Sequence, residues 1–294
     1  IYTGEDTLSL HDALPIFCMS LLGAAEIREL AAALDLKPSK SLGQNFVHDG
    51  NTCLKIVRTA GVQPDDVALE IGPGLGSLTL AMMQEAKAVV VVEIDKRLAE
   101  QLPITAAKHS DNPEKLTVIN KDALQIDSLP IDPTVLIANL PYNVSVPVFL
   151  HMLEIFPTLR TGVVMVQAEV ADRLAAKPST KEYGVPSVKA AWWADVTGAG
   201  SVSRNIFWPQ PNVDSKLVGF KRRATPGDEE LRKKVFAIID LAFAQRRKML
   251  RSALSSMYGG SAAAEAVLEA AGIDPTLRGE ALDIHSFCAI AKQG

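Results

Sequence analysis

The sequence predicts an α/β fold: a mostly parallel, Rossmann-like sheet covered by helices on both faces, followed by a small all-helical C-terminal domain. Three observations lead there. Short β-branched apolar runs alternate with helix-length segments between residues 67 and 166, a glycine-rich turn follows the first run, and no strand pattern survives beyond Asp228.

The chain is expected to open with a helix over Ala24 to Leu36, where Ile27, Leu30, Ala31 and Leu34 share one face and Pro38 stops it. Strands are expected at Val67 to Ile71, Val89 to Glu93, Leu116 to Asn120, Val135 to Ala138 and Val163 to Val166. Helices over Leu78 to Glu85, Lys96 to Ala107 and Val146 to Ile155 alternate with them, the pattern of βαβ units. Beyond Gln167 the pattern turns irregular, with a polar hinge at Lys177 to Gly184, a proline-rich stretch at Phe207 to Asn212 and a last strand near Leu217 to Lys221. Loops of this kind tend to carry substrate. From Asp228 only helices are expected, broken at Gly259-Gly260 and at Gly272 to Pro275, which puts a domain boundary near Thr225. Trp192 and Trp193 are read as core.

Composition narrows the class. With 294 residues, 48% hydrophobic and 22% charged, the chain has enough apolar material for one large domain and a small appendage, and disorder is not the default. Cys18, Cys53 and Cys288 are far apart and lack the spacing of a zinc or redox pair, so no metal site is expected and a reducing, cytoplasmic location fits. No apolar run approaches the roughly 20 residues that span a bilayer, and no membrane partner is expected. A net charge of −4 argues against wholesale nucleic-acid binding, yet it hides an asymmetry. From Lys216 to Arg251 eleven basic residues face four acidic ones, so that segment carries +7 and the rest −11. A polyanion would be drawn to that part of the surface.

Residues 1–18 are expected to be a non-native extension. A secretory signal needs a basic start, whereas Glu5, Asp6 and Asp12 precede the first basic residue, Arg28. Thr7 to Ile16 also looks like one reading frame of a sequencing adapter, and Met19 is the expected start. The organisation is then residues 19–224 as the α/β domain and residues 225–294 as the helical one.

The segment Glu70-Ile71-Gly72-Pro73-Gly74-Leu75-Gly76 carries the first chemical signal, because it directly follows a strand and precedes a helix. Glycines there allow a sharp turn and close approach to a ligand. Seventeen residues after Gly76, a second strand ends in Glu93, whose carboxylate can accept both hydroxyls of a ribose. A structural turn or a dinucleotide site are the rival readings, but the spacing is G-x-G-x-G rather than G-x-G-x-x-G. An acidic Glu70 would also repel a pyrophosphate, whereas it suits the amino group and sulfonium of S-adenosylmethionine. A third strand leads to Asp122-Ala123, where a carboxylate could hold an adenine amine, although a lone Asp there is more often a cap.

The fourth strand ends in Asn139-Leu140-Pro141-Tyr142. The N6 amine of adenine is a poor nucleophile because its lone pair is delocalised into the ring. An Asn oxygen and a neighbouring backbone carbonyl can accept both N6 hydrogens and localise that pair, while Pro141 stiffens the turn. Tyr142 offers a stacking surface for an extruded base, and Phe207, beside Trp208 and Pro209, is the candidate for the opposite face.

Lys40 to Asp49 (KSLGQNFVHD), EIGPGLGSLT, VVEIDKRL, NKDAL, ANLPYNVSVP, FWPQPNVDS and AFAQRRKMLRSAL occur in order over residues 24–292 and together resemble the small-subunit ribosomal RNA adenine-N6 dimethyltransferase family. The resemblance implies a class I methyltransferase fold and an S-adenosylmethionine cofactor. It implies cofactor contacts from Asn45, Val47, Gly72, Glu93, Asp122 and Asn139, to which the reading of the turns adds Glu70, Gly74 and Ala123. It implies that Asn139, Leu140, Tyr142 and Phe207 frame the adenine. The family usually has Leu where Val47 stands, a change of little consequence for a backbone contact. It further implies that two adjacent adenosines in a hairpin near the 3′ end of small-subunit rRNA are each methylated twice. The helical domain would engage the ribosomal particle through Arg246, Arg247, Lys248 and Arg251, as a monomer. The alternatives are a large-subunit rRNA methyltransferase of the macrolide-resistance type and a ribosome-assembly factor that has lost turnover.

Overall fold

Apolar β-branched runs too short to bury themselves as helices pair as strands, and with an edge strand and two short bridging strands added there are nine among the described residues, 20–36 and 45–294 of a computed structural model. Residues 1–18 and the first half of the Lys40 to Asp49 motif lie outside them. In chain order the elements are α1 (Ala24–Ala33), β1 (Phe46–Val47), α2 (Gly50–Ala60), β2 (Val67–Ile71), α3 (Ser77–Glu85), β3 (Ala88–Glu93), α4 (Lys96–His109), β4 (Leu116–Asn120) and β5 (Val135–Asn139). There follow α5 (Ser145–Ile155), β6 (Thr161–Gln167), α6 (Ala168–Leu174), α7 (Val185–Ala190), β7 (Ala194–Val202), β8 (Phe207–Trp208) and β9 (Ser215–Arg222). The chain then turns wholly helical: α8 (Glu229–Ala244), α9 (Leu250–Ala253), α10 (Ser255–Tyr258), α11 (Ser261–Ala270) and α12 (Ile284–Ala291).

The main sheet has seven strands in the order β4-β3-β2-β5-β6-β9-β7. The first five pair in parallel, and β9 runs antiparallel to both its neighbours, so the sheet is mostly parallel as expected. Alternating side chains build two separate apolar clusters. Leu69, Val90, Leu136, Val164 and Phe220 point to the face covered by α5 to α9, α11 and α12, while Ala68, Val91, Ile137, Met165 and Leu217 point to the face covered by α1 to α4. The helical C-terminal region has no core of its own. Val235, Ile238 and Ile239 of α8 join the first cluster, and Phe236 meets Trp192 and Trp193 edge-on at 6.2 and 5.5 Å. Both tryptophans are buried, in line with their reading as core.

Several elements went unassigned in the sequence, the short helices α6 and α7 among them. Helix α2 is capped by the Asp49 side chain, which accepts from the Thr52 amide, and closes at Gly61 in the left-handed region. Strand β7 is the sheet's edge, carries a register shift between Gly198 and Gly200, and is largely exposed, so its side chains show no apolar run. The ladder of β1 and β8 is two residues long. No helix among the described residues is long and apolar enough to cross a membrane.

At the amino ends of the strands, the buried carboxylate of Asp66 gathers the Thr134 hydroxyl at 2.7 Å, the Gln63 amide at 2.6 Å and the Arg160 guanidinium. Burial alone would raise its pKa, but these partners together hold it below the usual carboxylate range. One packing contact in the sheet admits no side chain at all. A Cβ on Gly162 of β6 would run into the backbone carbonyl of Leu136 and come within 2.6 Å of the Phe220 ring. Gly162→Ala is therefore expected to lower unfolding free energy by at least about 2 kcal/mol. Gly198→Ala, where an added Cβ meets nothing within 4 Å, should change it by less than about 0.5 kcal/mol; urea unfolding of both variants checks the pair.

Candidate active site

Because β2 to β5 run parallel, their carboxyl ends and the turns that follow open onto one edge of the sheet. Four turns meet there: Glu70 to Gly76 after β2, Glu93 after β3, Asp122-Ala123 after β4 and Asn139 to Tyr142 after β5. They enclose a cavity of about 310 Å³ lined by all nine expected cofactor residues: Asn45, Val47, Glu70, Gly72, Gly74, Glu93, Asp122, Ala123 and Asn139. Gly72 and Gly74 have φ of 69° and 58°, and a Cβ on Gly74 would lie 2.9 Å from the Phe46 ring. The glycines thus allow both the turn and the close packing of β1 beneath it.

Two acids shape the electrostatics. Glu70 is fully enclosed, and its carboxyl accepts from the Thr79 hydroxyl at 2.5 Å. Burial pushes it up to about 8; Thr79 opposes that shift and the nearby Glu93 adds to it. Glu93 is 5% exposed, one oxygen accepting from the Asp95 amide at 2.9 Å and the other from the Gly74 amide at 3.2 Å. Burial raises its pKa too, against those two amides. Among the described residues neither acid has a cationic partner. Two buried carboxyls without a cationic partner beside a glycine turn, Glu70 holding its proton until a positive charge comes near, fit a cationic nucleoside and offer a pyrophosphate no counter-charge, so these residues suit S-adenosylmethionine. Asp122 is a cap, one oxygen accepting from the Leu124 amide at 2.9 Å, and the residue also lines the cavity.

The end of β5 faces the same cavity. Asn139 donates from Nδ2 to the backbone carbonyl of Asn45 at 3.2 Å. A carbonyl can only accept, so this contact turns the amide's oxygen away from Asn45 and leaves it available to a donor. Leu140 is buried; its amide is spent on Met165 at 3.0 Å, and among the described residues nothing donates to its carbonyl. Tyr142 is half-buried at the rim, outside the cavity lining, with its hydroxyl 2.9 Å from Ser215 Oγ.

Phe207 departs from its expected place. It is 3% exposed, pairs with Val47 across the β1–β8 ladder, packs in the second cluster and does not line the cavity. Its ring gains more from burial than from standing in water. Trp208, half-buried, stacks on Phe46 at 6.4 Å.

The basic segment is also redistributed. Arg222 is half-buried and donates to the carbonyls of Leu153, Phe156 and Leu159, while Arg232 pairs with Glu154 and Glu229 against Trp193. Arg246 pairs with Glu280 at 2.8 Å and donates to the Lys181 carbonyl at 2.6 Å, and Arg251 pairs with Glu265 at 3.3 Å. Of the four expected RNA contacts, only Arg247 and Lys248 are exposed without an ion-pair partner among the described residues. None of the four lines the cavity. The sequence reading missed Phe46, Ile94, Lys121 and Asn143, which do. Ile94 is 60% exposed, which only the structure reveals; its place directly after Glu93 at the end of β3 was the available signal.

Glu70 makes a stability prediction with a definite sign. Its carboxyl titrates near 8 in the fold and near 4.5 when unfolded, so the native state holds the extra proton between those values. Stability should fall as pH rises from 5 to 8, by on the order of a few kcal/mol. Glu70→Gln should flatten that slope and unfold at higher temperature than wild type at pH 8, with little difference at pH 5. Thermal unfolding across that range checks it, and parallel slopes would refute it.

The comparisons agree with this geometry. The family model for ribosomal RNA adenine dimethylase matches residues 36–293. The chain is 58% identical to a ribosomal RNA small subunit methyltransferase A from Leifsonia xyli, covering 94% of this chain and 99% of that one. It is 57% identical to the protein of the same name from Streptomyces avermitilis, over 93% and 94% of the two chains. Among solved structures, a dimethyladenosine transferase from Plasmodium falciparum shares the fold at a TM-score of 0.71 and 23% identity, covering 83% of this chain and 95% of that one. The 23S rRNA methyltransferase ErmE gives 0.63 at 27% identity, over 85% and 99%. With a parallel sheet edge built for a cationic nucleoside and a family match across most of its length, this chain belongs to the ribosomal RNA adenine dimethylase family, enzymes that use S-adenosylmethionine as methyl donor.

Proposed function

We propose that the protein methylates N6 of two adjacent adenosines in the 3′-terminal hairpin of small-subunit (16S) rRNA, giving N6,N6-dimethyladenosine during small-subunit biogenesis in the cytoplasm. The observation that carries the reading is the Asn139 amide, turned by the Asn45 carbonyl so that its oxygen is an acceptor at the edge of the donor cavity. When bound, S-adenosylmethionine supplies an electrophilic methyl carbon on its sulfonium. Glu93 would hold the ribose, Asp122 and Ala123 the adenine end, and Asn45, Val47, Glu70, Gly72 and Gly74 the remainder. The target base must leave its stack to reach this edge. Asn139 Oδ1 and the Leu140 carbonyl then accept the two N6 hydrogens and localise the lone pair toward the donor, while Tyr142 stacks on the ring. No strong base is required, since the nitrogen becomes acidic once alkylated.

Residues 225–294 would present Arg247 and Lys248 to rRNA phosphates, contacts that give position and salt dependence rather than sequence choice. Identities of 57 to 58% to small subunit methyltransferases, against 27% to a 23S rRNA enzyme, support the small subunit over the large one as substrate. Radiolabelled methyl transfer to purified immature small subunits and to large subunits, followed by nucleoside analysis, tests this; label confined to the large subunit would overturn it.

Asn139→Ala is expected to lower methyl transfer at least about 100-fold while changing the calorimetric donor Kd less than about tenfold. Equal losses would make Asn139 a donor ligand alone. Reversing charge at Arg247 and Lys248 together should weaken small-subunit binding and flatten its salt dependence, with melting temperature unchanged. An unaltered salt slope would return both to ordinary solvated surface.

A further inference from the structure

The last residue of the FWPQPNVDS segment has no part in the reaction described above. Ser215 opens β9, is 1% exposed, and pairs in register with Gln167 of β6 on one side and Val202 of β7 on the other. Its backbone is therefore fixed by ladders on both flanks. Its hydroxyl lies 2.9 Å from the Tyr142 hydroxyl, and neither hydroxyl has another partner among the described residues.

Tyr142 lacks any comparable restraint. Its backbone is held by a turn, with the Val144 amide donating to the Pro141 carbonyl at 3.2 Å and the Ser145 hydroxyl donating to the Tyr142 carbonyl at 3.3 Å. These contacts leave the side-chain torsions free, and the ring is only half-buried. The hydroxyl at the far end of the ring is the one atom that a polar tether can hold. Between Tyr142 and Ser215 lies β6, so the bond reaches from the turn after β5 across one strand to β9. Asn139 and Tyr142 are thereby referred to the same rigid sheet.

We propose that Ser215 is a positioning residue for methyl transfer, its hydroxyl fixing the plane of the Tyr142 ring so that the stacking face is set before the adenine arrives. The inference rests on the function proposed above. A ring that must be ordered by the base itself stacks less often in the reactive geometry, so loss of the tether lowers turnover more than ground-state binding.

The test is a double-mutant cycle in the full chain with Tyr142→Phe, Ser215→Ala and both. It is read by methyl transfer to immature small subunits, by donor calorimetry and by the NMR signal of the Tyr142 hydroxyl proton. Each single substitution should lower kcat about tenfold, leave KM for the donor unchanged, and add nothing in the double variant. Tyr142→Phe also keeps the test alive if Ser215→Ala fails to fold, because Phe keeps the ring and loses only the tether. Full kcat in Tyr142→Phe, or multiplying effects in the double variant, would overturn the proposal while the function stood. A wild-type protein that methylates neither subunit would instead sink the function. In that case the hydroxyl proton still decides the tether: slow exchange in wild type that is lost in Ser215→Ala supports it, and its absence in wild type refutes it.

Discussion

Two carboxyl groups buried without a cation at one edge of the sheet are the constraint from which the rest of the site follows. Burying a charge is costly unless something compensates it, and the hydrogen bonds to Glu70 and Glu93, one from the Thr79 hydroxyl and two from the Gly74 and Asp95 amides, leave both carboxyls raised in pKa. At the opposite end of the same strands, Asp66 is also buried, but Arg160, the Thr134 hydroxyl and the Gln63 amide together hold its pKa down. The protein therefore places a cation-paired acid at the amino ends and acids without a cationic partner at the carboxyl ends. What completes the second pair must bring positive charge and hydroxyls from outside.

The division of the sheet into two faces makes that edge rigid. Helices α1 to α4 close one face, and α5 together with the C-terminal helices closes the other, so each strand is clamped by apolar packing on both sides. Gly162 marks how closely the central strands and their neighbours approach. A turn mounted on such strands holds its side chains to within the small errors that nucleophile alignment tolerates. Asn139 gains a second restraint from Asn45, so its acceptor is aimed by elements on both sides of the cavity.

Much of this was legible in the sequence, and the exceptions have physical reasons. The five parallel strands were readable because strands buried on both faces are unbroken apolar runs, and Glu70, Gly72, Gly74, Glu93, Asp122, Ala123 and Asn139 could be placed at one edge because each sits at or just after the end of such a strand, whereas Asn45 and Val47 came only from the family resemblance. Strand β7 was hidden because an exposed edge needs no apolar pattern, and its Gly198 and Gly200 look like a loop. Helix α2 did carry a signal: Asp49 as a cap, Cys53, Ile56, Val57 and Ala60 on one face, and Gly61 as a stop. Phe207 was misplaced because an aromatic next to prolines reads equally as a wall or a plug, and only the pairing of β1 with β8 decides between them. Ser215 gave no signal of its own, since a hydroxyl's partner 73 residues away is a property of the sheet order.

Counting charge along the chain misleads for a related reason. The +7 segment spans a strand, a helix and a turn, and most of its cations are consumed locally: Arg222 by the carbonyls ending α5, Arg232 by two glutamates and two aromatic rings, Arg246 by Glu280 and Lys181. Arg246 is then better understood as a staple that fastens the 177–184 hinge to the helical region, aided by the Ser179 amide on the Glu280 carbonyl and the Tyr183 hydroxyl on that of Leu282. Charges used this way cannot also neutralise phosphates. Among the described residues the segment's cations left exposed without an ion pair are Lys221, Arg247 and Lys248, so the net charge of the segment greatly overstates the positive surface it offers.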